Sequence, residues 1–169
     1  MSANTKNMIF ILTTVVTGLI AGLFYAYSCS VNPGLARLKD AEYLSAMQAI
    51  NSAILNPVFF LTFMGTLILL PISTWLQYKA GGNSNAYFLL LVASLIYIIG
   101  VFGVTIIGNV PLNDLLAKAD LKSMSIEELL TLRSKFEKPW LFYHQIRTIS
   151  VVISFILTII ALFYRTKIE

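Results

Sequence analysis

The sequence predicts an all-α membrane protein, an antiparallel bundle of four transmembrane helices with amphipathic helices in the first and third connections. Hydrophobic residues make up 57% of the chain and charged residues only 12%, about half the charged fraction of a typical soluble domain. The apolar residues occur in blocks long enough to cross a hydrocarbon core of about 30 Å. Arg147 is the only charged residue within those blocks. We therefore expect a single membrane domain over residues 1–169.

The predicted spans are each close to the length that lets a helix satisfy its backbone inside lipid. They cover residues 8–31, 58–76, 86–108 and 140–164. Asn32 and Pro33 mark the end of the first span, and Asn56 and Pro57 mark the start of the second, where proline is tolerated at little cost. Pro139 is predicted to begin the fourth span.

The connections between the spans differ in length and pattern. The short run from Gly81 to Asn85 predicts a turn, which makes the second and third spans antiparallel neighbours. In the third connection, Ser125 and Glu128 form a capping-box pattern that starts a helix. In the first connection, apolar residues at helical spacing predict an amphipathic helix along the bundle mouth: Tyr43, Met47, Ile50 and Ile54.

Small residues at helical spacing predict close helix packing. Gly18 and Gly22 lie one turn apart on the first span, and Gly100 and Gly103 form a similar pair on the third. Glycine lets helix backbones approach each other closely in lipid.

The basic residues are interpreted as topology signals. The net charge of +4 is spread over connections and termini without a basic patch, so we do not expect nucleic acid as a partner. Arg165 and Lys167 adjoin the last span, and no acidic residue follows that span before Glu169. On this basis we expect a plasma-membrane protein with both termini in the cytoplasm, although the connections carry more Lys and Arg in total.

Threading the spans antiparallel brings the unusual polar and aromatic residues to one membrane face. These residues stand at four different span ends: Asn32, Asn56, Asn109, Asn113, Trp140, His144 and Arg147. On the fourth span, Trp140, His144 and Arg147 occupy positions i, i+4 and i+7 and therefore share one stripe. On the first span, Tyr25 shares a stripe with Asn32, so both are expected to reach the same cavity, with Ser28 at the edge.

Each of these residues also has a purely structural interpretation. Arg147 can extend its side chain to the headgroups, and His144 can serve as an interfacial hydrogen-bonding residue. Trp140 can anchor the helix at the membrane interface, and the asparagines can cap helices. A metal site is not expected, because the chain has one histidine and lacks paired carboxylate motifs.

The sequence resembles a family of small four-helix membrane proteins that includes the anthrone oxygenases. The resemblance spans nearly the whole chain and is carried by five motifs taken together. They are residues 22–28 (GLFYAYS), 33–35 (PGL), 47–57 (MQAINSAILNP), 108–113 (GNVPLN), and Trp140 with His144, Arg147 and Thr148.

The resemblance implies a membrane-embedded helical bundle and, for some members, oxidation of an anthrone to an anthraquinone by molecular oxygen without an established cofactor. In that hypothesis neutral His144 accepts the proton, and Arg147 with Asn109 and Asn113 stabilises the oxyanion. Trp140 and Tyr25 flank the ring. Asn32, Asn51 and Asn56 are assigned either to the rim of the site or to the layer of residues behind it.

The expected partners are membrane lipid and a small hydrophobic or aromatic ligand, and the formation of a homo-oligomer is left open. The alternative to an enzyme is a membrane protein that binds a lipid, a small hydrophobic ligand or a partner helix through the same polar mouth. An ion pathway is disfavoured, because polar residues are sparse through the middle of the spans.

Overall fold

A computed structural model describes residues 2–165 as a helical bundle. In chain order its helices are α1 (Asn4–Leu35), α2 (Asp40–Ala53), α3 (Pro57–Gly81), α4 (Asn85–Ala117) and α5 (Ile126–Arg165). Lys167 and Glu169, used in the orientation argument, lie outside the described residues. Helices α1, α3, α4 and α5 are each long and apolar enough to cross a membrane, which confirms the predicted fold class.

The four long helices pack in a ring. Helix α1 contacts α3 and α5, and α4 contacts the same two helices. In each span only 28% to 33% of the most apolar window is buried, so most of the apolar surface faces outward. Such an outer surface requires lipid, as expected of an integral membrane protein.

The turn between α3 and α4 forms as the sequence predicts. Gly82 ends α3 with a φ of 60°, a left-handed conformation that glycine adopts without steric cost. The hydroxyl of Ser84 then accepts a hydrogen bond from the backbone N–H of Tyr87 at 3.3 Å and caps α4.

Buried hydroxyl groups link the helices inside the bundle. Thr13 on α1 and Ser73 on α3 are hydrogen-bonded at 2.8 Å, and Thr74 on α3 bonds Ser94 on α4 at 2.9 Å. Ser154 on α5 donates to the carbonyl of Ala93 at 2.9 Å. Interhelical hydrogen bonds of this kind stabilise association in lipid, where burial of apolar surface provides little driving force.

Helix α5 differs from the prediction at Pro139. The capping box forms, with Ser125 N–H donating to Glu128 at 2.7 Å and Glu128 N–H to the Ser125 hydroxyl at 3.3 Å. The helix that it starts then continues through Pro139 to Arg165, a single helix of 40 residues. The prediction that Pro139 begins a separate span is wrong. An interior proline removes one hydrogen bond, and here packing holds the helix on both sides, because Phe136 and Trp140 belong to one buried cluster.

Helix α2 lies against the outer part of α5 through that cluster, in which Tyr43 and Met47 contact Phe136 and Trp140. Arg133 fixes the start of α2. Its guanidinium donates to Asp40 at 2.9 Å and to the Leu38 carbonyl at 2.8 Å, and it lies 4.4 Å from the centre of the Tyr43 ring. Burial raises the pKa of the Tyr43 hydroxyl, so the hydroxyl stays protonated. The first connection is therefore held over one end of the bundle.

The paired glycines differ in how closely a neighbouring helix approaches them. A Cβ on Gly100 would lie 2.8 Å from the Cβ of Ser150, and a Cβ on Gly18 would lie 2.8 Å from the Phe155 ring. A Cβ on Gly22 would meet nothing within 4 Å. Close packing is therefore found at Gly18 and Gly100, whereas Gly22 faces open space.

This difference gives a stability prediction with a matched control. Gly100→Ala is expected to destabilise the protein by about 1–3 kcal/mol, because the added methyl group forces α4 and α5 apart. Gly22→Ala should leave stability unchanged or slightly raised, because alanine favours a helix over glycine. Thermal unfolding of the two variants in detergent measures the effect, and equal melting temperatures would contradict the packing described at Gly100.

Candidate functional site

A cavity of about 230 Å³ lies at the end of the bundle covered by α2. Its wall is mainly aromatic and aliphatic: Leu23, Phe24, Tyr27, Ile50, Ile54, Leu55, Phe59, Phe60, Phe63, Met64, Phe102, Ile106, Val110 and Trp140. The polar side chains that line it are Asn51, Thr105, Asn113, His144 and Arg147. An apolar pocket with a few convergent polar groups is typical of a small-molecule site.

Arg147 reaches this cavity from α5 and is only 7% exposed. Its guanidinium donates to the Thr105 hydroxyl at 3.2 Å and to Nδ1 of His144 at 3.3 Å, and it lies 4.7 Å from the centre of the Phe24 ring. Its Nε has no hydrogen-bond partner among the described residues. In the described part of the chain, both ion pairs belong to Arg133 and neither involves Arg147. Burying a cation without a carboxylate partner is costly, and charged residues inside membrane spans commonly mark ligand or ion sites.

His144 is 2% exposed, and both of its ring nitrogens have polar neighbours. Nδ1 faces Arg147, which can only donate, so Nδ1 is the accepting nitrogen. Nε2 therefore carries the hydrogen and can donate to the Ser28 hydroxyl at 3.1 Å or the Thr148 hydroxyl at 3.4 Å. This assignment places the lone pair of Nδ1 in the hydrogen bond from the Arg147 guanidinium, and both side chains line the cavity.

Trp140 forms a flat wall next to the histidine. The two rings stack with centroids 5.1 Å apart and an interplanar angle of 13°. The indole N–H donates to Oδ1 of Asn113 at 2.8 Å, which fixes the orientation of the ring. The sequence-predicted stripe of Trp140, His144 and Arg147 is thus present and lines one cavity together with Asn113.

The other predicted asparagines separate into two groups. Asn51 lines the cavity, whereas Asn109 lies behind it and donates to the Trp140 carbonyl at 3.2 Å. Asn56 caps α3 by accepting from the Phe59 N–H at 3.0 Å. Asn32 is half-buried at the end of α1 and is not among the residues that line the cavity. The structure therefore places Asn32, Asn56 and Asn109 outside the cavity lining, and their assignment to the functional site stays a prediction.

Tyr25 also requires a correction, because its side chain is 61% exposed and does not line the cavity. Gly22, three residues before Tyr25, likewise faces open space. The buried face of α1 instead runs through Ile20, Ala21 and Phe24. Phe24 and Tyr27 supply the aromatic wall that the sequence assigned to Tyr25, with Phe24 5.6 Å and Tyr27 6.0 Å from the His144 ring centre.

Two residues of the site stand in π-helical segments. Ser28, the partner of His144, lies in the segment Tyr27–Val31, and Thr105, the partner of Arg147, begins the segment Thr105–Asn109. A π-helical turn shifts the direction of the side chains that follow it, and such turns are frequent at functional sites. Ser28 was predicted at the edge of the site, whereas the role of Thr105 was missed. The signal for Thr105 was its position as a lone polar residue near the end of an apolar span.

Four residues that line the cavity are also exposed on the outer surface: Leu55, Phe60, Ile106 and Val110. All four are apolar, so this edge of the cavity is hydrophobic.

Comparison with known protein families matches residues 59–157 to the model of the anthrone oxygenases. This segment is more than half of the 169-residue chain. The chain belongs to the anthrone oxygenase family. The part matched to the anthrone oxygenases contains Asn113, Trp140, His144 and Arg147, while Asn51 precedes it. Comparisons with curated proteins and with solved structures gave no match.

In this anthrone oxygenase family member, the polar side chains that line the cavity are amide, hydroxyl, imidazole and guanidinium groups, without a carboxylate or a thiol among the described lining residues. Across residues 2–165, no three His, Cys, Asp or Glu side chains are grouped so as to hold a metal ion. The arrangement can accept a proton at His144, hold a negatively charged oxygen at Arg147, and bind a flat ring against Trp140.

Proposed function

We propose that this protein oxidises an anthrone-type aromatic ketone to the corresponding quinone with molecular oxygen in the cavity described above. The observation that carries this proposal is Arg147, a buried cation that has no carboxylate partner within the described part of the chain and that lines an apolar cavity beside an accepting histidine nitrogen. An anion held there would provide the missing negative charge. The family relationship favours an anthrone as its source.

The substrate would bind as its enol tautomer, with the hydroxyl oxygen next to His144 and Arg147. Nδ1 of His144 and the Arg147 nitrogen are 3.3 Å apart and hydrogen-bonded, so the substrate hydroxyl first takes the place of the Arg147 N–H on Nδ1. One oxygen atom then lies within reach of both groups. Nδ1 takes the hydroxyl proton, and the electron pair left on the oxygen is stabilised by the guanidinium. The ring of the substrate lies against Trp140.

The anion then reduces oxygen. Its negative charge is delocalised to the opposite carbon of the central ring. That carbon adds molecular oxygen to give a peroxide anion, which takes up one proton and becomes a hydroperoxide. Loss of water from the hydroperoxide leaves the second carbonyl group. One oxygen atom enters the quinone and the other leaves in water, so the four electrons removed from the substrate carbon reduce one oxygen molecule.

The pairing of His144 with Arg147 also explains how a base works beside a cation. A proton on Nδ1 would place two positive charges next to each other, which is unfavourable in a site of low dielectric. The substrate oxyanion between them removes this repulsion. Proton transfer is therefore favourable only while the anion is bound, which ties ionisation of the substrate to its position in the cavity.

The test is oxygen consumption by the purified protein in lipid vesicles supplied with anthrone. We expect consumption well above that of protein-free vesicles of the same lipid, with one anthraquinone formed for each oxygen molecule used. Anthrone reacts slowly with oxygen by itself, so the protein-free rate must be subtracted. A rate equal to that background would contradict the proposal and favour a protein that binds a lipid, a hydrophobic ligand or a partner helix.

A further inference from the structure

Two hydrogen-bond donors in the cavity wall are buried without a partner among the described residues. They are Nε of Arg147 and Nδ2 of Asn51. A buried polar group left without a hydrogen-bond partner is destabilising. A third unpaired atom, Oδ1 of Asn109, belongs to a residue outside the cavity lining. The cavity thus offers unsatisfied donors and calls for a ligand with acceptor atoms.

The two donors come from different walls. Arg147 lies on α5, where its guanidinium is adjacent to His144. Asn51 lies on α2, one turn beyond Met47, which packs in the cluster of Phe136 and Trp140. Asn51 is surrounded along its helix by the apolar cavity residues Ile50 and Ile54. Asn51 is therefore the polar side chain that α2 supplies to the cavity lining.

One oxygen atom held between His144 and Arg147 leaves Asn51 unsatisfied if the rest of the ligand is a hydrocarbon. Oxygen atoms on opposite carbons of a ring point in opposite directions, so they can reach donors on two different walls. Oxygen atoms on neighbouring carbons point to the same side and would crowd around one donor. The ligand that satisfies both donors carries oxygen on opposite ring carbons.

We infer that Asn51 is a specificity-determining residue, whose Nδ2 donates to a second ring oxygen of the ligand, opposite the oxygen held by Arg147. This inference rests on the proposed function for the class of ligand, a polycyclic aromatic ketone. In the proposed reaction, the second oxygen is the one that oxygen addition places on the central ring. Asn51 therefore distinguishes the quinone from the ketone that precedes it.

Equilibrium binding under argon tests this inference without any turnover. The ligands are anthrone, with one ring oxygen, and anthraquinone, with oxygen on both central carbons. Quenching of Trp140 fluorescence reports occupancy of the cavity once Trp75, the other tryptophan and 58% exposed, is replaced by phenylalanine. The variants are Asn51→Leu, which fills the same space without a donor, and Asn51→Asp, which has the same shape and only acceptors. Asn83→Leu, in the exposed turn before α4, is the matched control.

Asn51→Leu and Asn51→Asp should each weaken anthraquinone binding about three- to tenfold, the effect of one lost hydrogen bond, and leave anthrone binding unchanged. Asn83→Leu should change neither. Equal losses for both ligands, or no loss for either, would overturn the inference while leaving the proposed function intact. A parent protein that binds neither ligand would overturn both. Melting temperatures of the variants show that the comparison is made between folded proteins.

Discussion

Replacing Arg147 by methionine is expected to reduce anthrone oxidation by about 100- to 1,000-fold, the usual effect of removing a charge-stabilising donor from an active site. Among residues 2–165 the guanidinium is the only charged group that lines the cavity, and it is close enough to His144 to share one substrate oxygen with it. Methionine fills a similar volume and cannot stabilise an anion. The oxygen-consumption assay in vesicles measures the loss after subtraction of the protein-free rate.

The stability of the same variant separates a ligand-binding role from a structural one. Arg147 is a buried cation without a carboxylate partner, and replacing such charges by apolar groups is often neutral or stabilising by about 1–4 kcal/mol. Arg147→Met should therefore melt at an unchanged or higher temperature while losing activity. A clear drop in melting temperature would contradict this account and indicate that Arg147 braces the bundle.

Arg165 provides a matched control at the other end of α5, about 27 Å away by the usual helical rise. It donates to Gln77 at 2.9 Å and to Asn7 at 3.0 Å, and it stacks on Phe10 at 3.4 Å from the ring centre. The same substitution there removes satisfied contacts far from the cavity. Arg165→Met should therefore lower the melting temperature and leave the activity of the folded protein unchanged, the opposite of Arg147→Met.

Most of the fold could be predicted because membrane spans are encoded locally. Apolar length gives the spans, and the Ser125 and Glu128 pattern gives the start of α5, both of which the structure confirms. The prediction was wrong at Pro139, since the cost of an interior proline can be offset by packing on both sides of it. That packing depends on α2, which is distant in sequence, and no local pattern reveals it.

The site could be predicted only in part, for a related reason. Helical spacing correctly places Trp140, His144 and Arg147 on one face of α5, because that relation lies within a single helix. Which face of α1 meets them depends on the rotation of α1 against its neighbours. Tyr25 and Phe24 are adjacent aromatic residues, and a small rotation decides which of them points inward. Sequence spacing on α1 alone does not determine that rotation.

The asparagines illustrate a second limit. Asn56 and Asn113 have the same side chain and both stand near span ends, yet Asn56 caps a helix and Asn113 orients Trp140. An amide both donates and accepts, so either role satisfies it. Only the positions of its neighbours distinguish the two. The π-helical segments that contain Ser28 and Thr105 were likewise not predicted from the sequence.

His144→Gln is expected to lower anthrone oxidation by about 100- to 10,000-fold, the range found when a general base is removed. The glutamine amide can still accept a hydrogen bond from Arg147, so the position of the guanidinium is retained. An amide oxygen, however, is far too weak a base to accept a proton. Initial rates of oxygen consumption at neutral pH, with anthrone saturating, measure this loss.

The dependence of that loss on pH distinguishes a base from a positioning residue. Raising the pH of the assay ionises anthrone in solution, so the substrate arrives as its anion and the need for a base disappears. The deficit of His144→Gln relative to the unmodified protein should then shrink as the pH rises. The deficit of Arg147→Met should persist, because the bound anion still lacks its counter-charge. If the His144→Gln deficit were the same at every pH, His144 would serve to hold Arg147 in place, and the proton would have another acceptor.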